Sequence, residues 1–301
     1  MPLRKKTIQN KNYFLLLLEV TKKIIQIIIL CYWGKIKVYR MCVGIALYNT
    51  DGLSALNAYE IGEFFNHLNI KITTASYNKH LVNGDQTSQK ITAKGLEKKL
   101  EQNNELQFGL YCIENNETIA TFYHVTNEFG SFYNLNMQYI NKIENQKQFI
   151  IKLVKKISNY INFPYGISFE LSDMFQTYIY TEGEGFYSVF EYEKPNTWNR
   201  ETPGRFKGSA RYKDSMLRMI YKFNIINDKH LGIKFNNNLS LKDWILSDSK
   251  HGDLIKINNK LWLWSVDDDQ LDNINNFCGE AGVLISWRNS KLSSKKKKLP
   301  I

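Results

Sequence analysis

The chain has 301 residues and a formal charge of +11, with 43% hydrophobic and 23% charged residues. That balance belongs to a folded protein with a sizeable core and excludes a disordered or fibrous chain. The positive charge is concentrated at the ends: residues 1–40 carry nine basic residues against Glu19 alone, and residues 289–301 add Lys291 and Lys295 to Lys298. The body from Met41 to Arg288 holds 26 basic and 28 acidic residues. A body of net −2 repels a phosphate backbone unless its charges are segregated, so no nucleic-acid binding is expected through it.

Tyr13 to Leu18 and Ile24 to Trp33 are apolar but divided by Glu19, Lys22 and Lys23, and neither approaches the ~20 residues of a transmembrane span. The shift in composition at Met41 marks residues 1–40 as a basic, partly apolar extension, with Met41 as the working start. Cys31, Cys42, Cys112 and Cys278 are scattered without a CxxC pair, which fits a reducing cytoplasm and argues against zinc or a disulfide framework.

Leu56, Tyr59, Phe64, Phe65 and Leu68 mark a first helix after the Thr50-Asp51-Gly52 turn. Asn83-Gly84 and Lys94-Gly95 punctuate a lysine-rich connection, read as loop with a short helix at Leu96–Leu100. Leu106, Phe108, Leu110 and Cys112 alternate with polar or small residues, and Ile119 to Val125 returns after a turn. Tyr133, Leu135, Met137 and Tyr139 alternate with Asn134, Asn136 and Gln138, the pattern of a strand with one wet face. Ile150, Leu153, Val154, Ile157 and Ile161 fall at helical spacing, and Pro164 stops that helix. Ile167, Phe169 and Leu171 form the next strand.

Tyr192 to Gly208 reads as loop. Leu217 to Ile225 alternates as a strand, Ser240 caps a helix, and Leu254–Ile257 with Leu261–Val266 makes a hairpin. Leu271, Ile274, Phe277 and Cys278 share a helix face that Gly279 is expected to stop, and Val283 to Trp287 is a last strand. The class is α+β: antiparallel sheet with helices packed on one face, in a plan open to two similar halves. The expected segments are the 1–40 extension, halves at 41–172 and 173–288, and a Lys-rich tail at 289–301.

No phosphate-binding, hydrolase or zinc signature is present, and no cofactor is expected. Asp267, Asp268 and Asp269 with Glu280 and His251 offer hard-cation chemistry, which keeps a metal-dependent hydrolase or nuclease as the alternative function. Capping of the following helix is the plainer explanation of the three aspartates. Glu182-Gly183-Glu184-Gly185-Phe186 is glycine-rich but acidic, so it suits a binding loop better than a phosphate cradle. Arg200, Arg205, Lys207, Arg211, Lys213 and Arg218, interleaved with Trp198, Phe206 and Tyr212, have the mixture that protein interfaces favour.

Six runs of the last third come in a suggestive order. They are Gly204-Arg205-Phe206-Lys207-Gly208, Leu217 to Leu231, Leu241-Lys242-Asp243-Trp244-Ile245, His251-Gly252-Asp253-Leu254, Leu261-Trp262-Leu263-Trp264 and Gly282-Val283-Leu284-Ile285. Together they resemble immunity proteins of bacterial polymorphic-toxin and type VI secretion systems. The resemblance implies a non-enzymatic cytosolic protein that binds and blocks a cognate protein toxin. The contact residues expected for such a partner are Glu182, Glu184, Glu191, Glu193, Trp198, Arg205, Asp267, Asp268 and Asp269.

Overall fold

Strand β1 (Cys42–Tyr48) lies in the middle of a ten-stranded sheet. The computed structural model describes residues 41–288 except 69, 104, 130, 141–142, 203–207 and 237. The remaining strands are β2 (Thr74–His80), β3 (Gln86–Ile91), β4 (Phe108–Glu114), β5 (Glu117–Val125), β6 (Asn134–Ile140), β7 (Tyr165–Leu171), β8 (Phe223–Asn227), β9 (Asp253–Lys256) and β10 (Leu261–Ser265). Their order across the sheet is β3-β2-β4-β5-β6-β1-β7-β8-β10-β9, and neighbours pair antiparallel. The α+β class and the antiparallel sheet are as the sequence predicts.

The helices cover both faces of that sheet. Every residue of β1 is buried: Val43, Ile45 and Leu47 enter one core, and Ala46 and Tyr48 enter the other. A central strand apolar on both sides needs a layer on each. Helices α1 (Ala55–Gly62), α2 (Ala93–Leu100) and α3 (Gln146–Ile157) fill the first core. Helix α4 (Met174–Thr181), the short α5 (Asp228–Leu231), α6 (Leu241–Ser247) and α7 (Leu271–Glu280) fill the second. The expected halves share this one sheet, because β7 pairs with both β1 and β8.

Three local expectations change. The lysine-rich connection contains the β2–β3 hairpin, turned at Asn83-Gly84; its outer strand is solvated and polar, so it carries no apolar alternation. Leu217 to Ile225 is a strand only from Phe223. Leu217 to Tyr221 are buried, and at Ile220 and Tyr221 side-chain amides replace the ladder: Asn275 bonds the N–H and C=O of Ile220 at 2.9 and 2.8 Å, and Asn224 does so for Tyr221 at 3.0 and 2.7 Å. Val283 to Trp287 makes only isolated bridges, to Leu217 and Glu193. Among the described residues no helix is long and apolar enough to cross a membrane. The expectations for residues 1–40 and 289–301 lie outside the described residues.

Candidate partner-binding site

The polar residues of β6 are the foundation of the site. Asn134, Asn136 and Gln138 are fully buried, not wet, because α4 lies over them. The close approach is set by Gly44 on the neighbouring β1, where an added Cβ would stand 2.5 Å from Phe169 and 2.7 Å from Thr177. Gln138 Nε2 donates to Thr181 Oγ1 at 3.1 Å, and Asn136 Nδ2 donates to Glu182 Oε1 at 2.7 Å. Glu182, at the C-terminal cap of α4, is thereby held inside the protein.

Eleven residues on, Glu193 is buried too. Its Oε1 accepts from the Tyr180 hydroxyl at 2.7 Å and its Oε2 from the Val189 N–H at 2.9 Å. The counter-ion is Arg218, fully buried, with Nε 3.7 Å from Glu193 Oε1. Arg218 Nη1 donates to the Tyr180 carbonyl at 2.9 Å and the Tyr48 hydroxyl at 3.2 Å, and its guanidinium lies 3.6 Å from the centre of the Tyr180 ring. Burial pushes the Glu193 carboxyl above its ordinary range, while Arg218, Tyr180 and the Val189 and Phe190 amides pull it back down.

Residues 183–192 therefore form a loop with a buried, hydrogen-bonded carboxylate at each end, Glu182 and Glu193. Gly183 and Gly185 take left-handed backbone, with φ of +72° and +73°, which starts the loop. At Gly183 a Cβ would meet the Trp198 ring at 2.6 Å, so indole and loop backbone are in contact. At the tip Phe186 is 78% exposed, between a half-buried Glu184 and an exposed Glu191.

The second acidic segment lies beside the first. Tyr192 OH donates to Asp272 in the first turn of α7 at 2.8 Å, and Phe190 stacks on Tyr192 with ring centres 5.3 Å apart. Phe190 also touches Tyr221, whose neighbour Lys222 reaches Asp268 at 2.8 Å. Asp267, Asp268 and Asp269 are exposed. They do not cap α7: Gln270 is its N-cap residue and no side chain caps it. Asp269 accepts from the Gln270 amide at 3.1 Å.

Nor do these aspartates build a metal centre with the residues proposed alongside them. His251 is stacked on Trp244 at 3.8 Å, and Glu280 ends the ten-residue helix whose first turn holds Asp272. Among the described residues no three His, Cys, Asp or Glu side chains are placed to hold a metal ion.

Of the expected contact residues, Glu182, Glu193 and Trp198 are buried and act as internal fastenings. Glu184, Glu191 and Asp267 to Asp269 remain on or near the surface, and Arg205 lies outside the described residues. The basic–aromatic run likewise turns inward: Trp198, Tyr212 and Arg218 are buried, and Arg211 Nε donates to the buried Glu201 at 3.0 Å. Sequence reading missed the Tyr48, Tyr180, Tyr221 and Arg218 centre. Its one visible signal was a lone arginine inside the apolar run Leu217 to Tyr221.

No family model matches the chain, and no curated protein matches it. Among solved structures it is similar to the Pseudomonas aeruginosa T6SS protein PA0821, at 11% identity and a TM-score of 0.48, over 81% of this chain and 73% of that one.

Proposed function

We propose that the chain is a non-enzymatic binding protein of immunity type, which covers the active site of a cationic protein toxin. The observation that carries the reading is the fastened loop 183–192, which holds Phe186 in solvent between Glu184 and Glu191 and is tied through Tyr192 to Asp272, a few residues after the exposed Asp267 to Asp269. An aromatic anchor inside a charged rim is the usual make-up of an interface hot spot. Fixing the loop beforehand lowers the ordering cost of association. Toxins that act on nucleic acid are basic where they act, so an acidic rim speeds encounter and sets orientation. The resemblance of the last third to immunity proteins supports the same class.

The test is a pull-down with the native chain and with a Phe186→Ala/Glu191→Lys variant as baits, followed by an activity assay of the captured protein. A toxin held by the native bait, inhibited at a 1:1 ratio and released by the variant, is the expected result. A partner retained equally by both baits, or one that keeps its activity in the complex, overturns the proposal.

A further inference from the structure

A second feature lies away from the acidic corner and is independent of the reading above. The C-terminal end of α3 and the β9–β10 turn border an open surface depression of about 480 Å³. Lys155, Lys156 and Lys260 line it with Asn159, Asn162 and Asn259, and no carboxylate does. The described residues give none of the three ammonium groups an ion-pair partner. In a body of net −2, three uncompensated like charges around one concavity need a reason.

The helix end explains part of it. Lysines in a last turn offset the negative end of the helix dipole, which accounts for Lys155 and Lys156. It does not account for Lys260, which arrives from a different element. That element is fixed in place: Asn258 Oδ1 accepts from the N–H groups of Lys260 and Leu261, both at 2.8 Å, and its Nδ2 donates to Ser158 Oγ at 2.9 Å. Ser158 in turn donates to the Val154 carbonyl at 2.7 Å. The backbone that carries Lys260 is therefore held against the end of α3, and the three lysines line the same depression.

We infer that this depression is a binding site for a small molecule carrying two or more phosphoryl groups. Ammonium and amide donors without a carboxylate suit an acceptor-rich anion. The open depression has room for more than one phosphoryl group.

Calorimetry of the full chain with tripolyphosphate, pyrophosphate and inorganic phosphate at about 0.15 M salt tests this, since diffuse surface attraction is screened there. Tripolyphosphate binds saturably, and Lys155→Gln/Lys260→Gln weakens it about tenfold or more. The charge-matched control Lys94→Gln/Lys98→Gln, exposed on α2, changes it less than about twofold. Equal loss in both variants, or no loss in either, overturns the proposal by assigning the binding to diffuse charge or to the basic ends. Amide-shift mapping on the unaltered chain gives a second reading: shifts confined to residues 155–162 and 258–260 support the site, and shifts elsewhere refute it.

Discussion

His230 shows how one side chain settles its own protonation. Its Nδ1 accepts from the Asn227 N–H at 3.2 Å, and its Nε2 meets the Tyr212 carbonyl at 2.9 Å. Only the neutral ring with a proton on Nε2 satisfies both partners. Burial pushes its pKa down to about 4, and does the same for His124 between β4 and β6. Because the folded values lie below the unfolded value of about 6.5, the unfolded chain binds more protons between them. Stability is therefore full above pH 6.5 and falls as pH drops towards 4, by roughly 3 kcal/mol per ring. Urea unfolding followed from pH 7 to pH 5 shows this loss, and His124→Phe flattens the curve; a curve unchanged by that substitution excludes His124 as its source.

Glu193 works in the opposite sense, since its folded value is raised and its contribution weakens as pH rises through it. Removing its partner is the harsher change. Arg218→Met leaves a buried carboxylate uncompensated and costs about 3–5 kcal/mol in denaturant unfolding, whereas Arg218→Met/Glu193→Gln costs much less than the two single changes added together. Additive losses would mean that the pair does not act as one unit.

At the level of elements, much of the framework was legible. The β4–β5 hairpin, the helix at Gln146–Ile157, the Ser240 cap with Oγ accepting from the Asp243 N–H at 3.1 Å, and the β9–β10 hairpin all carry local signals. What failed were inferences about which side is wet. Asn134, Asn136 and Gln138 alternate as an outward face does, yet a helix that had no amphipathic signature of its own covers them. The candidate site shared that fate, because burial of Glu182 and Trp198 depends on residues distant in sequence: Asn136, 46 positions from Glu182, and Tyr48, which packs on Trp198.

Helix α7 gives a sharper lesson. Gly279 is not its stop: the helix runs on to Glu280, and Gly282 takes the left-handed turn at φ +77°. Gly279 is there because the Trp287 ring lies against it, 2.2 Å from where a Cβ would stand. Gly279→Ala is expected to cost roughly 1–3 kcal/mol by overpacking, read as a lower thermal midpoint. A midpoint equal to that of the unaltered chain would show that the indole yields freely.

Across the whole molecule, the charge is sorted. The acidic corner at Glu184, Glu191 and Asp267 to Asp269 and the lysines at the end of α3 form separate patches on a body whose total is near zero. Composition gives only the sum and hides this segregation. Under the proposed function, association with the toxin slows as salt rises, while dissociation changes little. Stopped-flow mixing at about 50 and 300 mM salt separates the two rates; a dissociation rate carrying most of the salt effect contradicts a rim that acts by steering.

The position of β1 has a consequence for how the protein comes into being. The first described strand is also the middle one, and it is bordered by β6 and β7, which follow it by about a hundred residues. At a synthesis rate of about 5–20 residues per second, the ribosome takes on the order of ten seconds to deliver both borders. For that interval Val43, Ile45 and Leu47 lack their strand partners, with α1 as the nearest following element able to cover them. The nascent chain is thus a natural client for holding chaperones, and production at lowered temperature with slowed initiation is the condition under which the intact sheet should be recovered in highest yield.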